Sequence, residues 1–243
     1  MPDETKRFAA DLAIKIRATT PIPLVGVYLH GSAVLGDFRP TSSDLDVLLL
    51  IRDRTSRRDL EQMARVLASS DRCPGVGLEA TVVEESMAAV PAAPWPYRVH
   101  VTTERAHLRT ILCDPGRGDS DLILHYAVVR ESGWAAHGPP PTEVIGPVAG
   151  HVVTRQLAAE LRWAVDNASE SYTVLNACRA LHFSVQKVLS SKTAGGMWAL
   201  ERGIEPELVA GALQARECDR HAKAGQEAAE FALGVADSLD QTR

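Results

Sequence analysis

Between Leu24 and Ile51 the chain twice gathers aliphatic and β-branched residues into short runs, LVGVYLHG and DLDVLLLI, each bounded by turn-forming residues. Runs of that length and setting predict strands. Upstream, Phe8, Leu12 and Ile16 recur at helical spacing over residues 3–18, and Pro21 and Pro23 end that helix. Downstream, RRDLEQMARVLASS, lying between Thr55 and the Pro74-Gly75 turn, has the period of a helix, and GLEATVVEE reads as a third strand. The order helix, strand, strand, helix, strand predicts a small mixed α/β sheet domain rather than a long parallel wound one.

The pattern changes after Trp134. WAAHGPPPTEVIGPVAG, Trp134 to Gly150, holds three consecutive prolines and several glycines, the composition of a linker or an extended crossing segment. Beyond it, VTRQLAAELRWAVDNA, SYTVLNACRALHFSVQKVL, AGGMWALERG and the stretch from Pro206 to Leu239 are rich in Ala and Leu at 3.6 periodicity, with almost no strand signal. Two domains are therefore expected: residues 1–149, α/β with the Pro-rich linker at its end, and residues 150–243, an all-α helical bundle. No internal repeat or low-complexity tract interrupts either.

Composition narrows the function classes. The 243 residues are 45% hydrophobic and 23% charged, with a net charge of -5, ordinary for a chain with a packed core. An acidic chain is a poor partner for a nucleic-acid backbone, which needs clustered Lys and Arg; the groups Arg52 to Arg58 and Arg216 to Lys223 are short or mixed with acids. Cys73, Cys113, Cys178 and Cys218 stand far apart with no C-x-x-C, so they read as isolated thiols in a reducing compartment rather than as a zinc site or a disulfide framework. The N-terminus is charged and amphipathic, and no run approaches about 18 apolar residues, so a soluble cytoplasmic protein is expected.

The chemistry is carried by LHGSAVLGDFRPTSSDLDVLLL, Leu29 to Leu50. Side chains alternate along a strand, so Asp44 and Asp46 share one face while Leu45 and Val47 share the other. Two carboxylates that close raise each other's pKa unless a cation sits between them, and carboxylate oxygens suit Mg²⁺. Gly31 lets the backbone approach a ligand, and the Ser32 hydroxyl with neighbouring N–H groups can hold phosphate oxygens; Ser42 and Ser43 precede the aspartates. Together these suit a nucleoside triphosphate and its metal. The alternative is a surface hairpin whose Asp44 only solvates the start of a strand. His100 and His107 have no second ligand at metal spacing and read as ordinary hydrogen-bonded or surface histidines.

At these residues the chain resembles the nucleotidyltransferase superfamily of the polymerase-β-like fold, and within it the aminoglycoside 3''/9 adenylyltransferases that act on streptomycin and spectinomycin. The blocks LEATVV, APWPY, DSDLILHYAVVRESG, GPPPTEVIGPV, VLNACRAL and SKTAGGMWAL follow in that family's order over nearly the whole chain. The resemblance implies a sheet domain that binds Mg²⁺-ATP through Gly31, Ser32, Ser43, Asp44 and Asp46, and a helical domain that closes the cleft with the drug between the two. It implies that Glu79 of GLEATVV is the general base and shares a metal contact, and that Arg179 of NACRAL and Lys192 of SSKTAGG meet the triphosphate. Trp163 and Asp166 lie near the family's second drug-contact cluster. Streptomycin-modifying members carry a further tryptophan after the P-W-x-Y block, whereas RVHVTTERAHL here has none. The implied protein is a monomer that transfers AMP to a hydroxyl of an aminoglycoside or aminocyclitol and confers antibiotic resistance, with no nucleic-acid or membrane partner; the alternatives are the same chemistry on a protein side chain or a nucleic-acid end, and a catalytically idle nucleotide-binding regulator, against which the complete Gly-Ser, D-x-D and Glu79 set weighs.

Overall fold

The structure, a computed structural model, describes residues 1–70, 72–104, 108–112, 117–218, 220 and 222–241. Cys113, His107 and residues 105–107 of the tryptophan-free segment lie outside them. The chain divides into two compact units, Met1–Val148 and Ala149–Arg243.

In the first unit the elements are α1 (Asp3–Thr19), β1 (Leu24–Leu29), α2 (Gly31–Val34), β2 (Leu45–Ile51), α3 (Arg57–Ala68), β3 (Leu78–Glu84) and α4 (Glu85–Ala89), followed by β4 (Val99–Thr102), β5 (Arg109–Leu112), α5 (Leu122–Ser132), β6 (Trp134–His137) and α6 (Pro141–Val144). The six strands form one mixed sheet in the order β5-β4-β3-β2-β1-β6. Strands β2 and β3 are parallel and every other pair is antiparallel. The parallel pair needs a crossover, which α3 supplies. Ser56 caps that helix, accepting from the Asp59 N–H and donating to the Asp59 carboxylate, so the S-x-x-D step fixes where it starts.

Strand β2 is the spine of the unit because both of its faces are covered. Leu45, Val47, Leu49 and Ile51 pack with α1 and α3 through Leu12, Ile16, Leu60, Met63 and Leu67. Leu48 and Leu50 face the other way, into a cluster with Tyr28, Val83, Ala88, Tyr126 and Ile145. An apolar run with alternating destinations is what a strand buried on both sides requires. Asp46 belongs by alternation to the Leu48 face, at the end of the strand where helical cover gives way to the site.

One sequence expectation needs correcting. The segment from Trp134 is not wholly linker: Trp134–His137 is the edge strand β6, paired antiparallel with β1, and Ile145 is buried in the second core cluster. A four-residue strand is too short to show alternation against three prolines that follow at once, and the Tyr28 hydroxyl ties the segment down by donating to the Pro139 carbonyl. The first helix, the first three strands and the crossover helix are where the pattern put them.

The second unit is helical: α7 (Gly150–Asn167), α8 (Glu170–Gln186), α9 (Lys192–Leu200), α10 (Pro206–Glu217) and α11 (Gln226–Gln241). Its core joins Val174, Leu175, Cys178, Trp198, Ala199, Val209, Ala212 and Ala228. The small residues let helices approach closely. Gly196 is one such point, where a Cβ would stand 2.8 Å from Leu175 Cδ2.

Candidate active site

The site is assembled by strand register. Asp46 of β2 pairs with Glu79 of the parallel neighbour β3, so the two side chains leave the same face side by side. Asp44 lies one residue before β2 begins, and its position is fixed by backbone bonds on both sides: the Val76 N–H donates to the Ser43 carbonyl at 2.9 Å, and the Leu45 N–H donates to the Gly77 carbonyl at 2.9 Å. A Cβ on Gly75 would collide with the Ser43 carbonyl, so the loop can close on the strand only as glycine. The outcome is that Asp44, Asp46 and Glu79 each offer an oxygen within 4.8 Å of the others.

Gly31 completes the cradle. It follows β1 with φ +59, the left-handed region, and a Cβ there would run into Asp46 Oδ2. The adjoining His30 N–H donates to the Asp46 carbonyl at 3.1 Å. The Ser32 hydroxyl oxygen is buried with no hydrogen-bond partner among the described residues, an arrangement that costs free energy until a ligand supplies one. Ser43 Oγ accepts from the Arg39 N–H at 3.1 Å and retains its own proton to donate.

The electrostatics follow from crowding. Partial burial, then the charges of Asp46 and Asp44, then a hydrogen bond to Asp44 and the charge of Asp121 push the Glu79 carboxyl well above its ordinary range. A protonated Glu79 carboxyl would relieve that repulsion, and so would a cation among the three. Three convergent carboxylates are a donor set for a hard divalent ion such as Mg²⁺, and the partnerless Ser32 hydroxyl and the close approach allowed at Gly31 are consistent with phosphate beside it.

Two neighbours were not evident in the sequence. Asp121, at the N-terminus of α5, adds its charge to the cluster. It comes from a segment far along the chain, and only the short D-x-D step before that helix hints at it. His30 is buried against His125, their rings 4.6 Å apart, and burial holds its imidazole neutral, far below the usual range. His100 is the hydrogen-bonded histidine expected, lying 3.0 Å from Thr81 Oγ1 and 3.1 Å from Thr102 Oγ1.

In the helical unit, Arg179 donates from Nε to the Ser190 carbonyl at 2.9 Å and from Nη1 to Asn176 Oδ1 at 2.7 Å. Gly195 makes room for it, since a Cβ there would stand 2.9 Å from Arg179 Cγ. Lys192 is the first residue of α9, its Nζ 4.2 Å from the centroid of the Tyr172 ring. Trp163 is 55% exposed rather than a core residue, and Asp166 is exposed on the same helix.

Comparison with known proteins bears on this geometry. Residues 15–105 match the family described as nucleotidyltransferase domain, and residues 143–233 match the family described as aminoglycoside adenylyltransferase, C-terminal domain. The first match defines the class: the chain is a nucleotidyltransferase enzyme. With the second, the chain belongs to the aminoglycoside adenylyltransferase family of nucleotidyltransferases. The fold is similar to that of spectinomycin adenyltransferase AAD(9) from Enterococcus faecialis, solved with ATP and spectinomycin, at a TM-score of 0.68 over 95% of this chain and 98% of that one, with 15% identity. No curated protein matches the chain.

Two outcomes follow from the crowding. A carboxyl whose folded pKa is raised above its unfolded value stabilises the fold below the unfolded pKa, and that contribution is lost as pH rises through the folded value. The melting temperature of metal-free protein should therefore fall as pH rises through the raised Glu79 range, and Mg²⁺ should restore it more at pH 8 than at pH 5, because protons and metal compete for the same oxygens. Thermal melts with and without Mg²⁺ across pH read this; an equal Mg²⁺ effect at both values would contradict it. Gly31→Ala must displace the Asp46 carboxylate, so Mn²⁺ affinity read by paramagnetic relaxation should fall by about 10-fold or more, the loss expected when one ligand of a site is misplaced.

Proposed function

We propose that the chain transfers an adenylyl group from Mg²⁺-ATP to a hydroxyl of an aminocyclitol or aminoglycoside antibiotic of the spectinomycin or streptomycin type. The observation that carries this is the convergence of Asp44, Asp46 and Glu79 with Glu79 shifted toward the pKa of a useful base. Membership of the adenylyltransferase family supports the class of acceptor. The absence of a tryptophan in RVHVTTERAHL favours spectinomycin over streptomycin, on the resemblance described above.

In this reading the acceptor oxygen attacks the α-phosphorus in line. A P–O bond to the acceptor forms, the bond to the β-phosphate oxygen breaks, pyrophosphate leaves, and the acceptor proton passes to Glu79. Bound at Asp44, Asp46 and Glu79, Mg²⁺ supplies charge neutralisation at the transferring and leaving oxygens. The Gly31 backbone, the Ser32 hydroxyl and the Ser43 hydroxyl hold phosphate oxygens in place. Arg179 and Lys192 are assigned to the triphosphate, where a guanidinium and an ammonium stabilise departing pyrophosphate. Trp163 and Asp166, both exposed on α7, are assigned to the acceptor, since an aromatic face and a carboxylate suit a cationic polyol. Modification of the drug would make the protein a determinant of resistance.

The test is incubation of purified protein with Mg²⁺-ATP and spectinomycin, streptomycin and other aminoglycosides, with mass spectrometry for a product heavier by one adenylyl group. Spectinomycin should be modified; unchanged drug across the panel would contradict the proposal. Glu79→Gln, whose amide oxygen can still reach the metal, should weaken Mg²⁺-ATP binding by no more than about 10-fold while the transfer rate falls by about 10²- to 10⁴-fold, the usual share of general-base catalysis. The wild-type rate should rise with pH through the raised Glu79 range and then level off, and any residual Gln-variant rate should lack that limb.

A further inference from the structure

Three side chains of the helical unit meet at the side chain of Tyr172. The Tyr172 hydroxyl donates to Glu160 Oε1 at 2.7 Å, Trp163 meets the ring edge-on at a centroid distance of 6.4 Å, and Lys192 Nζ stands over the ring face at 4.2 Å. The backbone around them is fixed as well. Asn176 Nδ2 donates to the Tyr172 carbonyl at 3.0 Å, and Ser191 caps α9 by accepting from the Ala194 N–H at 3.1 Å.

Lys192 is poorly placed by helix electrostatics. It is the first residue of α9, where the helix dipole presents its positive end and disfavours a cation. The Tyr172 face compensates, because the ring quadrupole attracts the ammonium. Glu160 strengthens that attraction. Its second oxygen, Oε2, is buried with no partner among the described residues, while Oε1 accepts from the phenol. A phenol that donates to a carboxylate carries more electron density in its ring, and coupled interactions of this kind reinforce one another.

We propose that Tyr172, anchored by Glu160, is a positioning residue that holds the Lys192 ammonium ready for an anionic phosphate of the nucleotide. The proposal rests on the reading above that Lys192 serves the triphosphate. A lysine held on a ring face loses less rotamer freedom when phosphate arrives than one that samples solvent. The same ring touches Trp163, so the residue assigned to the acceptor and the one assigned to the nucleotide share a support.

The test is Mg²⁺-ATP binding to the full chain by calorimetry, without acceptor, in Lys192→Met, Tyr172→Leu, Tyr172→Phe and the double variant of the first two. Lys192→Met should weaken binding by about 10-fold or more, the scale of one hydrogen bond to a charged group. Tyr172→Leu should weaken it by about 3- to 30-fold, the range of a cation–π contact, and Tyr172→Phe, which keeps the ring, by less than about 3-fold. The double variant should bind no more weakly than Lys192→Met alone, because the ring acts only through that lysine. Single-variant losses that multiply in the double variant, or wild-type affinity in Tyr172→Leu, overturn the proposal. If Lys192→Met binds Mg²⁺-ATP as the wild type does, the assignment of Lys192 to the triphosphate fails and the proposal falls with it, whereas drug adenylylation by the wild type still tests the wider reading separately. Should Tyr172→Leu lack a cooperative melt, Glu160→Gln decides: a loss of a few-fold present with Lys192 and gone in the Lys192→Met background supports the proposal, and a loss in both or in neither overturns it.

Discussion

Mutual repulsion among Asp44, Asp46 and Glu79 is the constraint on which the first unit turns. Three carboxylate oxygens within 4.8 Å are unfavourable in a protein interior unless a proton or a cation is shared among them. The fold nevertheless forces them together. Parallel pairing of β2 with β3 sets Asp46 beside Glu79, and the backbone bonds at Ser43 and Leu45 bring Asp44 to the same spot. Both faces of β2 are packed, so the strand cannot slip by one residue without exposing Leu48 and Leu50 to the wrong side. The hydrophobic core thus supplies the rigidity that holds the carboxylates together, and their crowding raises the pKa of Glu79.

The glycines at this end of the sheet serve the same constraint. Gly31 and Gly75 are positions where a side chain would strike Asp46 or the Ser43 carbonyl, and Gly31 also takes a left-handed conformation. Their role is steric, giving the carboxylates and the turn after β1 room at short range. The helical unit handles charge differently. Arg179 is held by two acceptors, Ser190 O and Asn176 Oδ1, and the Lys192 ammonium lies over an aromatic face, so each cation is ordered by its neighbours. Cations kept that way suit a polyanionic ligand.

Much of this was legible in the sequence, for reasons that can be stated residue by residue. Alternation in DLDVLLLI placed the two aspartates on one face, and GLEATVVEE placed a carboxylate on the next strand; the turn residues around them marked the ends. Pattern alone does not give parallel register, so the pairing of Asp46 with Glu79 had to come from the structure. Strand β6 was hidden because four residues carry too little periodicity against a proline cluster. Asp121 acts through space from a segment distant in the chain, and Tyr172 carries no local signal of its contacts with Lys192 and Glu160. The exposed position of Trp163 was equally invisible, since a tryptophan on an amphipathic helix is as often core as surface.

The measurement closest to the central claim is the proton balance when metal and nucleotide bind. Calorimetric titration of Mg²⁺-ATP at pH 7 in two buffers of different ionisation enthalpy gives the number of protons released per site. A carboxylate cluster that shares a proton until a cation arrives should release a measurable fraction of a proton, up to about one per site, and Glu79→Gln should release none. Binding that is tight yet releases no proton in the wild type, or the same number in the Gln variant, would mean that Glu79 does not carry the proton the crowded cluster needs.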